Sequence, residues 1–163
     1  MKQINDTILD SLTKQAKESP RKRAHYNLHP TLDDPIQRLC IAIEPGTYFR
    51  PNRHADPATS EVFLLLRGSA VLLFFDESGR VMEKITLSSG GPISAVDIPA
   101  AAWHAMASLE SGTVFFEVKQ GPYNPPKGNN VAEWAPAEGQ PGTQEFIEWY
   151  RNSKEGDLPP KIK

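Results

Sequence analysis

The sequence predicts an all-β domain: an antiparallel β-barrel of jelly-roll type, with one helix before it and a short helix after it. Three observations carry that expectation. From Gln37 onward, at least six short apolar or alternating runs are separated by tight-turn signals. No helix-period segment stands between those runs, which argues for an antiparallel sandwich or barrel rather than alternating strands and helices. The run Glu61–Leu66 is apolar on both faces, so one face is expected to lie under a second sheet or another subunit.

The bulk properties set limits on that domain. The chain has 163 residues, enough for one domain with a real apolar core. Its 39% hydrophobic and 23% charged residues suit a folded protein rather than a disordered one. A formal net charge of −2 gives no global attraction for nucleic acid or for an anionic membrane, and neither is expected as a partner. No apolar run approaches the ~20 residues that cross a bilayer. The opening MKQINDTILDSLTKQAKESP interrupts its apolar pattern with polar residues and lacks the unbroken stretch of a secretory signal, so the cytoplasm is the expected compartment. The single cysteine, Cys40, forms no intrachain disulfide and excludes cysteine-rich zinc motifs; between Leu39 and Ile41 it reads as a packing residue.

Taken in order, residues 5–18 read as a helix capped by Asn5 or Asp6, with Ile8, Leu9, Leu12 and Ala16 on one face and Pro20 as its stop. The basic stretch RKRAHYNLHP reads as an extended arm lying on something else. QRLCIAIEPG is a strand ending in a Pro-Gly turn. EVFLLLRGSAVLLFFDESGRVMEKITL divides into three strands at Arg67-Gly68 and around Asp76–Gly79. SAVDIP, WHAMASL and TVFFEVK are three further strands, and GPYNPPKGNN is a loop leaving the barrel. Thr143–Arg151 reads as a short helix with Phe146, Ile147 and Tyr150 on one side, and the final GDLPPKIK as a frayed end. The expected division is 1–35 for helix and arm packing on the barrel, 36–121 for the barrel, and 122–163 for the C-terminal loop and helix.

Four histidines are present, and two stand where a metal site can use them. His54 lies in YFRPNRHADPATSE, just before the strand that opens with Glu61. His104 follows Pro99 in PAAAWHAMAS. A divalent ion needs imidazole and carboxylate ligands converging from rigid elements, and a barrel interior supplies that geometry. Residues two apart share a strand face, so Arg50, Asn52 and His54 are expected to point into one cavity if that stretch is extended.

The order of these residues resembles the cupin superfamily, whose first motif is G-x5-H-x-H-x3,4-E-x6-G and whose second is G-x5-P-x-G-x2-H-x3-N. Gly46, Asn52, His54, Glu61 and Gly68 follow the first; Pro99, Ala101 and His104 follow the second. More closely, residues 1–125 are similar to the WbuC family of cupin-fold metalloproteins, through RKRAHYNLH, DPIQR, EPGTYFRP and FEVKQGPYNP. The departures are specific. Asn52 stands at the first metal histidine, six residues rather than three or four separate His54 from Glu61, and Ala101 and Ser108 replace a glycine and an asparagine. Ile93 stands at the second motif's opening glycine. The resemblance implies His54, Glu61 and His104 as ligands of a divalent metal (Zn, Fe, Mn or Ni), with Asn52 as a weaker fourth. It also implies a carbohydrate-related role in surface-polysaccharide biosynthesis.

Other polar residues offer a substrate site for a small anionic molecule. Arg38 and Arg50 sit in strand patterns where arginine has no core purpose. Tyr48, Tyr26 and Trp103 line a pocket or fill the core. His29 either completes the coordination from the arm or is hydrogen-bonded to backbone. Arg21, Lys22 and Arg23 form a basic cluster, read as a solvated face or an anion site. Glu117 in VFFEVK is a general base or, more simply, an outward-facing strand residue. Three readings of function stay open: an enzyme such as a sugar isomerase or epimerase, a non-enzymatic module for a small ligand or metal, and a metal-free barrel. The two-sided strands and long arm predict a homodimer, with the arm or an edge strand crossing to the partner.

Overall fold

The structure is a computed structural model that describes residues 1–161. The chain runs α1 (Asp6–Glu18), β1 (Arg23–Asn27), β2 (Ile36–Ile43), β3 (Glu61–Arg67), β4 (Ser69–Phe75), β5 (Val81–Ser88), β6 (Ala95–Ile98), β7 (Trp103–Ser108), β8 (Thr113–Gln120) and α2 (Thr143–Asn152). Five strands form one antiparallel sheet in the order β1-β2-β8-β3-β6, and three form another in the order β5-β4-β7. The two sheets face each other as an antiparallel β-sandwich with one helix on each outer side.

Strand alternation explains the layering. In β2, Ile41 and Ile43 point inward and meet Phe63, Leu65 and Phe115 from the same sheet and Leu72, Leu87 and Met106 from the other. Cys40 and Ala42 point outward, where Leu9, Leu12 and Ala16 of α1 cover them. Asn5 caps α1 by accepting a hydrogen bond from the backbone of Ile8 at 3.1 Å, satisfying one of the free N–H groups of the first turn. On the opposite side, Phe146, Ile147 and Tyr150 of α2 pack on Val71, Leu73, Phe75 and Ala105. The chain passes from one sheet to the other at Gly68, with φ of 73°; a side chain there would place its Cβ 2.9 Å from Thr113 Cα.

Two expectations need correction. The basic arm is not merely draped on the barrel. Arg23–Asn27 is a strand paired antiparallel with β2, from Arg23 opposite Ile43 to Asn27 opposite Leu39. The alternation of Arg23, His25 and Asn27 with Ala24 and Tyr26 is a strand pattern, obscured by its polar inward side. The C-terminal end is not frayed throughout. Val81 N–H donates to the Asp157 carbonyl at 3.0 Å, and Gly156 N–H donates to the Val81 carbonyl at 2.8 Å. The last two positions of the expected frayed end, 162–163, lie outside the described residues. Among those described, no helix is long and apolar enough to cross a membrane.

Candidate metal centre

Three separate elements bring His54, Glu61 and His104 together. Glu61 is the first residue of β3, held between Ile98 of β6 and Lys119 of β8. His104 lies on β7 of the three-stranded sheet, opposite Phe74 of the adjacent β4. The segment carrying His54 lies beside β7. Asn52 N–H donates to the His104 carbonyl at 3.1 Å and His104 N–H donates to the Asn52 carbonyl at 3.0 Å. The His54 carbonyl accepts from Ala101 N–H at 3.1 Å and from Thr59 N–H at 3.2 Å. The centre therefore sits at an end of the sandwich where both sheets contribute.

The ligand atoms converge. His104 Nε2 lies 2.9 Å, and His54 Nε2 3.3 Å, from Glu61 Oε1. All three ligand atoms fall within 4.8 Å of one another. Glu61 and His104 are 3% and 5% exposed. His104 Nδ1 is 2.9 Å from the Ala102 carbonyl, which only accepts, so that nitrogen carries the proton and the Nε2 lone pair faces Glu61. Glu61 Oε1 is buried and has no aligned hydrogen-bond donor. Facing lone pairs of this kind require a proton or a cation between them. A divalent ion fits: ligand bonds of about 2.0–2.1 Å to tetrahedral zinc put neighbouring ligand atoms roughly 3.4 Å apart, a small widening of the two distances from Glu61 Oε1.

The charges respond to this crowding. Burial alone would raise the Glu61 pKa, but the adjacent His104 and His54 imidazoles outweigh it and hold the carboxyl far below its usual range. Burial alone would lower the His104 pKa, but the Glu61 carboxylate outweighs it and raises the value above 6.5. Glu117 is pushed up by burial, against the opposing pull of Lys119.

A cavity of about 730 Å³ opens from the centre, within the usual size of small-molecule sites. Arg50, Asn52, His54 and His29 line it, as does Glu117. The Arg50 guanidinium donates to the Ala132 carbonyl at 3.0 and 2.6 Å, so protein backbone already occupies part of it. The expectation for Arg38 needs correction. It alternates with the inward-facing Gln37 and Leu39, so its guanidinium turns out to Asp34 at 3.2 Å and does not line the cavity. Tyr48 is likewise a core residue: its hydroxyl donates to the Pro136 carbonyl at 2.8 Å and its ring stacks on Tyr150. Tyr26 packs in the cluster under α1, and Trp103 packs beneath α2 with its Nε1 3.1 Å from Glu77. Arg21 and Arg23 both bind Glu138 at the cavity wall.

Glu117 is not an outward-facing residue. It is 5% exposed, faces inward beside Phe63, and lies 2.6 Å from Lys119 Nζ. The sequence pattern points the other way: Phe115, Glu117 and Lys119 share one strand face, while Val114, Phe116 and Val118 on the other are all apolar, because α1 covers Val114 and Phe116 there.

The chain belongs to the family described as "Domain of unknown function (DUF6016)", which matches residues 4–87. No curated protein matches the chain. Among solved structures, the capsular polysaccharide assembling protein CapF from Staphylococcus aureus is similar at 19% identity and a TM-score of 0.52, over 66% of this chain and 29% of that one. KdgF from Halomonas sp. is similar at 19% identity and a TM-score of 0.49, over 66% of this chain and 84% of that one. A cupin-2 domain containing protein from Shewanella frigidimarina is similar at 20% identity and a TM-score of 0.46, over 60% of this chain and 80% of that one. At such identities the likeness is one of fold.

Proposed function

We propose that this protein is a divalent-metal-binding cupin that takes a small polar, anionic, carbohydrate-related molecule into its cavity. The observation that carries this reading is the convergence of His54, Glu61 and His104 on a cavity of about 730 Å³. These three residues would hold the ion, with Asn52 as a weaker fourth ligand. Their mixed nitrogen and oxygen donors suit zinc, iron, manganese or nickel. A bound ion would supply Lewis-acid polarisation of a ligand carbonyl or hydroxyl. Arg50 and His29 stand on the cavity wall to orient the molecule.

The enzymatic form of the proposal is isomerisation or epimerisation of a sugar derivative. It is favoured over a passive binding module by the buried Glu117–Lys119 pair, a proton acceptor and a proton donor within electrostatic reach of Glu61. The WbuC resemblance supports a place in surface-polysaccharide biosynthesis. A homodimer is proposed through the outer face of the larger sheet, where Ile36, Val62 and Leu64 stay exposed.

Elemental analysis of protein purified without a histidine tag tests the metal reading. About one divalent ion per chain is expected, with a strong loss in His104→Ala. Full metal content in that variant would sink it. Turnover of a panel of sugar phosphates and nucleotide sugars separates enzyme from binding module.

A further inference from the structure

A row of polar side chains crosses the inner face of the five-stranded sheet, on which Phe63, Leu65, Phe115 and Ile41 are apolar. Glu61 pairs with Lys119, and Lys119 pairs with Gln37. Asn27 pairs with Leu39, which puts His29, two residues on, at the level of Gln37. The row Glu61, Lys119, Gln37, His29 thus leads from the metal centre to the far strand.

His29 ends the row with an unused donor. His29 Nδ1 stands 3.0 Å from both the Arg38 carbonyl and the Arg38 N–H. That carbonyl already accepts from Leu28 N–H at 2.8 Å, whereas the Arg38 N–H has Nδ1 as its acceptor. Nδ1 is therefore the accepting nitrogen, and the ring proton sits on Nε2. That Nε2 is buried with no hydrogen-bond partner, in a residue 4% exposed that lines the cavity. A buried donor without an acceptor is costly, and a ligand oxygen there removes the cost. Gln37 directs its amide nitrogen at the Leu32 and Asp34 carbonyls, which leaves its oxygen as an acceptor for a hydroxyl. The Lys119 ammonium, 2.6 Å from Glu117 Oε1, gives the row a positive charge.

We propose that the cavity holds an elongated polyhydroxy acid end to end, with the metal centre taking one end and His29 Nε2–H binding a carboxylate at the other. This deepens the proposed function and rests on it for the metal-bound end. The length follows from the sheet. Glu61 and His29 rise from the same face across three strand spacings of about 4.8 Å, roughly 14 Å in all. Subtracting a metal bond of about 2 Å and a hydrogen bond of about 3 Å leaves about 9 Å. An extended chain of about six carbons with a carboxylate at each end has that span.

Calorimetry on the zinc-loaded full chain tests this with D-glucarate, D-gluconate and D-glucitol, which share a six-carbon chain and carry two, one and no carboxylates. Wild type is expected to bind glucarate at least about tenfold more tightly than gluconate, and glucitol most weakly. In His29→Asn, Oδ1 takes the place of Nδ1 and keeps Arg38 N–H bonded, while the cavity donor is lost. Glucarate is then expected to fall to the gluconate level, with gluconate affinity and zinc content unchanged. A retained preference for glucarate in His29→Asn overturns the proposal, as does wild type binding glucarate no better than gluconate. If His29→Asn loses the preference while His104→Ala changes neither ligand, the distal carboxylate site stands and the metal reading falls.

Discussion

Replacing Asn52 with histidine should tighten metal binding, because of where the backbone holds that residue. Asn52 and His104 exchange both hydrogen bonds of an antiparallel pair, at 3.1 and 3.0 Å. Residues paired in this way have Cα atoms about 5.5 Å apart and project side chains to the same face. An imidazole at position 52 therefore stands beside His104, over the Glu61 carboxylate. The present amide donates from Nδ2 to the Arg50 carbonyl at 3.2 Å, a modest contact to lose. Imidazole is a stronger ligand than an amide oxygen or water, and a gain of about ten- to a hundredfold is expected, roughly 1.4–2.7 kcal/mol. With the ion in excess, that affinity adds directly to folding stability. At about 2–4 °C per kcal/mol for a chain of this size, the metal-dependent rise in Tm grows by roughly 3–11 °C. Competition against a chromogenic chelator and thermal denaturation with and without zinc measure both quantities. An unchanged affinity in Asn52→His, alongside complete loss in His104→Ala, would refute the placement of residue 52 in the coordination sphere.

Two further outcomes follow from the same geometry. The His104 pKa is raised in the folded apoprotein, because Glu61 outweighs the opposing effect of burial. Its contribution to apoprotein stability is therefore full below the unfolded value near 6.5 and lost as pH rises through the folded value. Metal affinity runs the other way and falls as pH drops through that raised value, because proton and ion compete for Nε2. Melting curves in chelator and in zinc should show opposite slopes, and parallel slopes would contradict the shared-nitrogen account. For association, Leu64→Lys should convert a dimer of twice the 18.1 kDa chain mass into monomer, measured by sedimentation. Wild type that sediments only as a species of one chain mass at about micromolar concentration would remove the proposed interface.

The fold was legible because most strands carry apolar residues at positions that alternate or run through, and glycine or proline marks their ends. Arg23–Asn27 escaped because its inward face is polar, lining a cavity rather than the core. The same cause hid Glu117, whose charge suggested an outward orientation while its neighbours Phe115 and Phe63 fixed the inward one. Arg38 went the other way. An arginine in a strand between apolar residues resembles an anion site, but period-two geometry puts it on the face opposite Gln37. Alternation alone settles Arg38, but in the other two cases the apolar residues Ala24, Tyr26 and Phe116 face outward under α1, so the sheet's second apolar face reverses the expected orientation. Tyr48 lay beyond that rule, since its partners Pro136 and Tyr150 are distant in the chain and lie in the C-terminal region.

The bridging position of the centre decides how metal binding is coupled to folding. In small zinc domains the ion assembles its own ligands, and its binding energy becomes folding energy. Here each ligand is held by contacts that need no ion: Glu61 by strand pairing on both sides, His104 by β4 and by the Asn52 bridge, and His54 by Ala101 and Thr59 on its carbonyl. Three core clusters surround the site without drawing on it. The apoprotein is thus expected to be folded, and binding orders little beyond the three side chains. The cost of such preorganisation falls on Glu61, a carboxylate buried between two imidazoles. A proton on His104 relieves that cost in the apoprotein, and an ion displaces that proton. Ion and proton are alternative occupants of one preformed gap, which is why pH and metal act on the same few atoms while the sandwich around them stays the same.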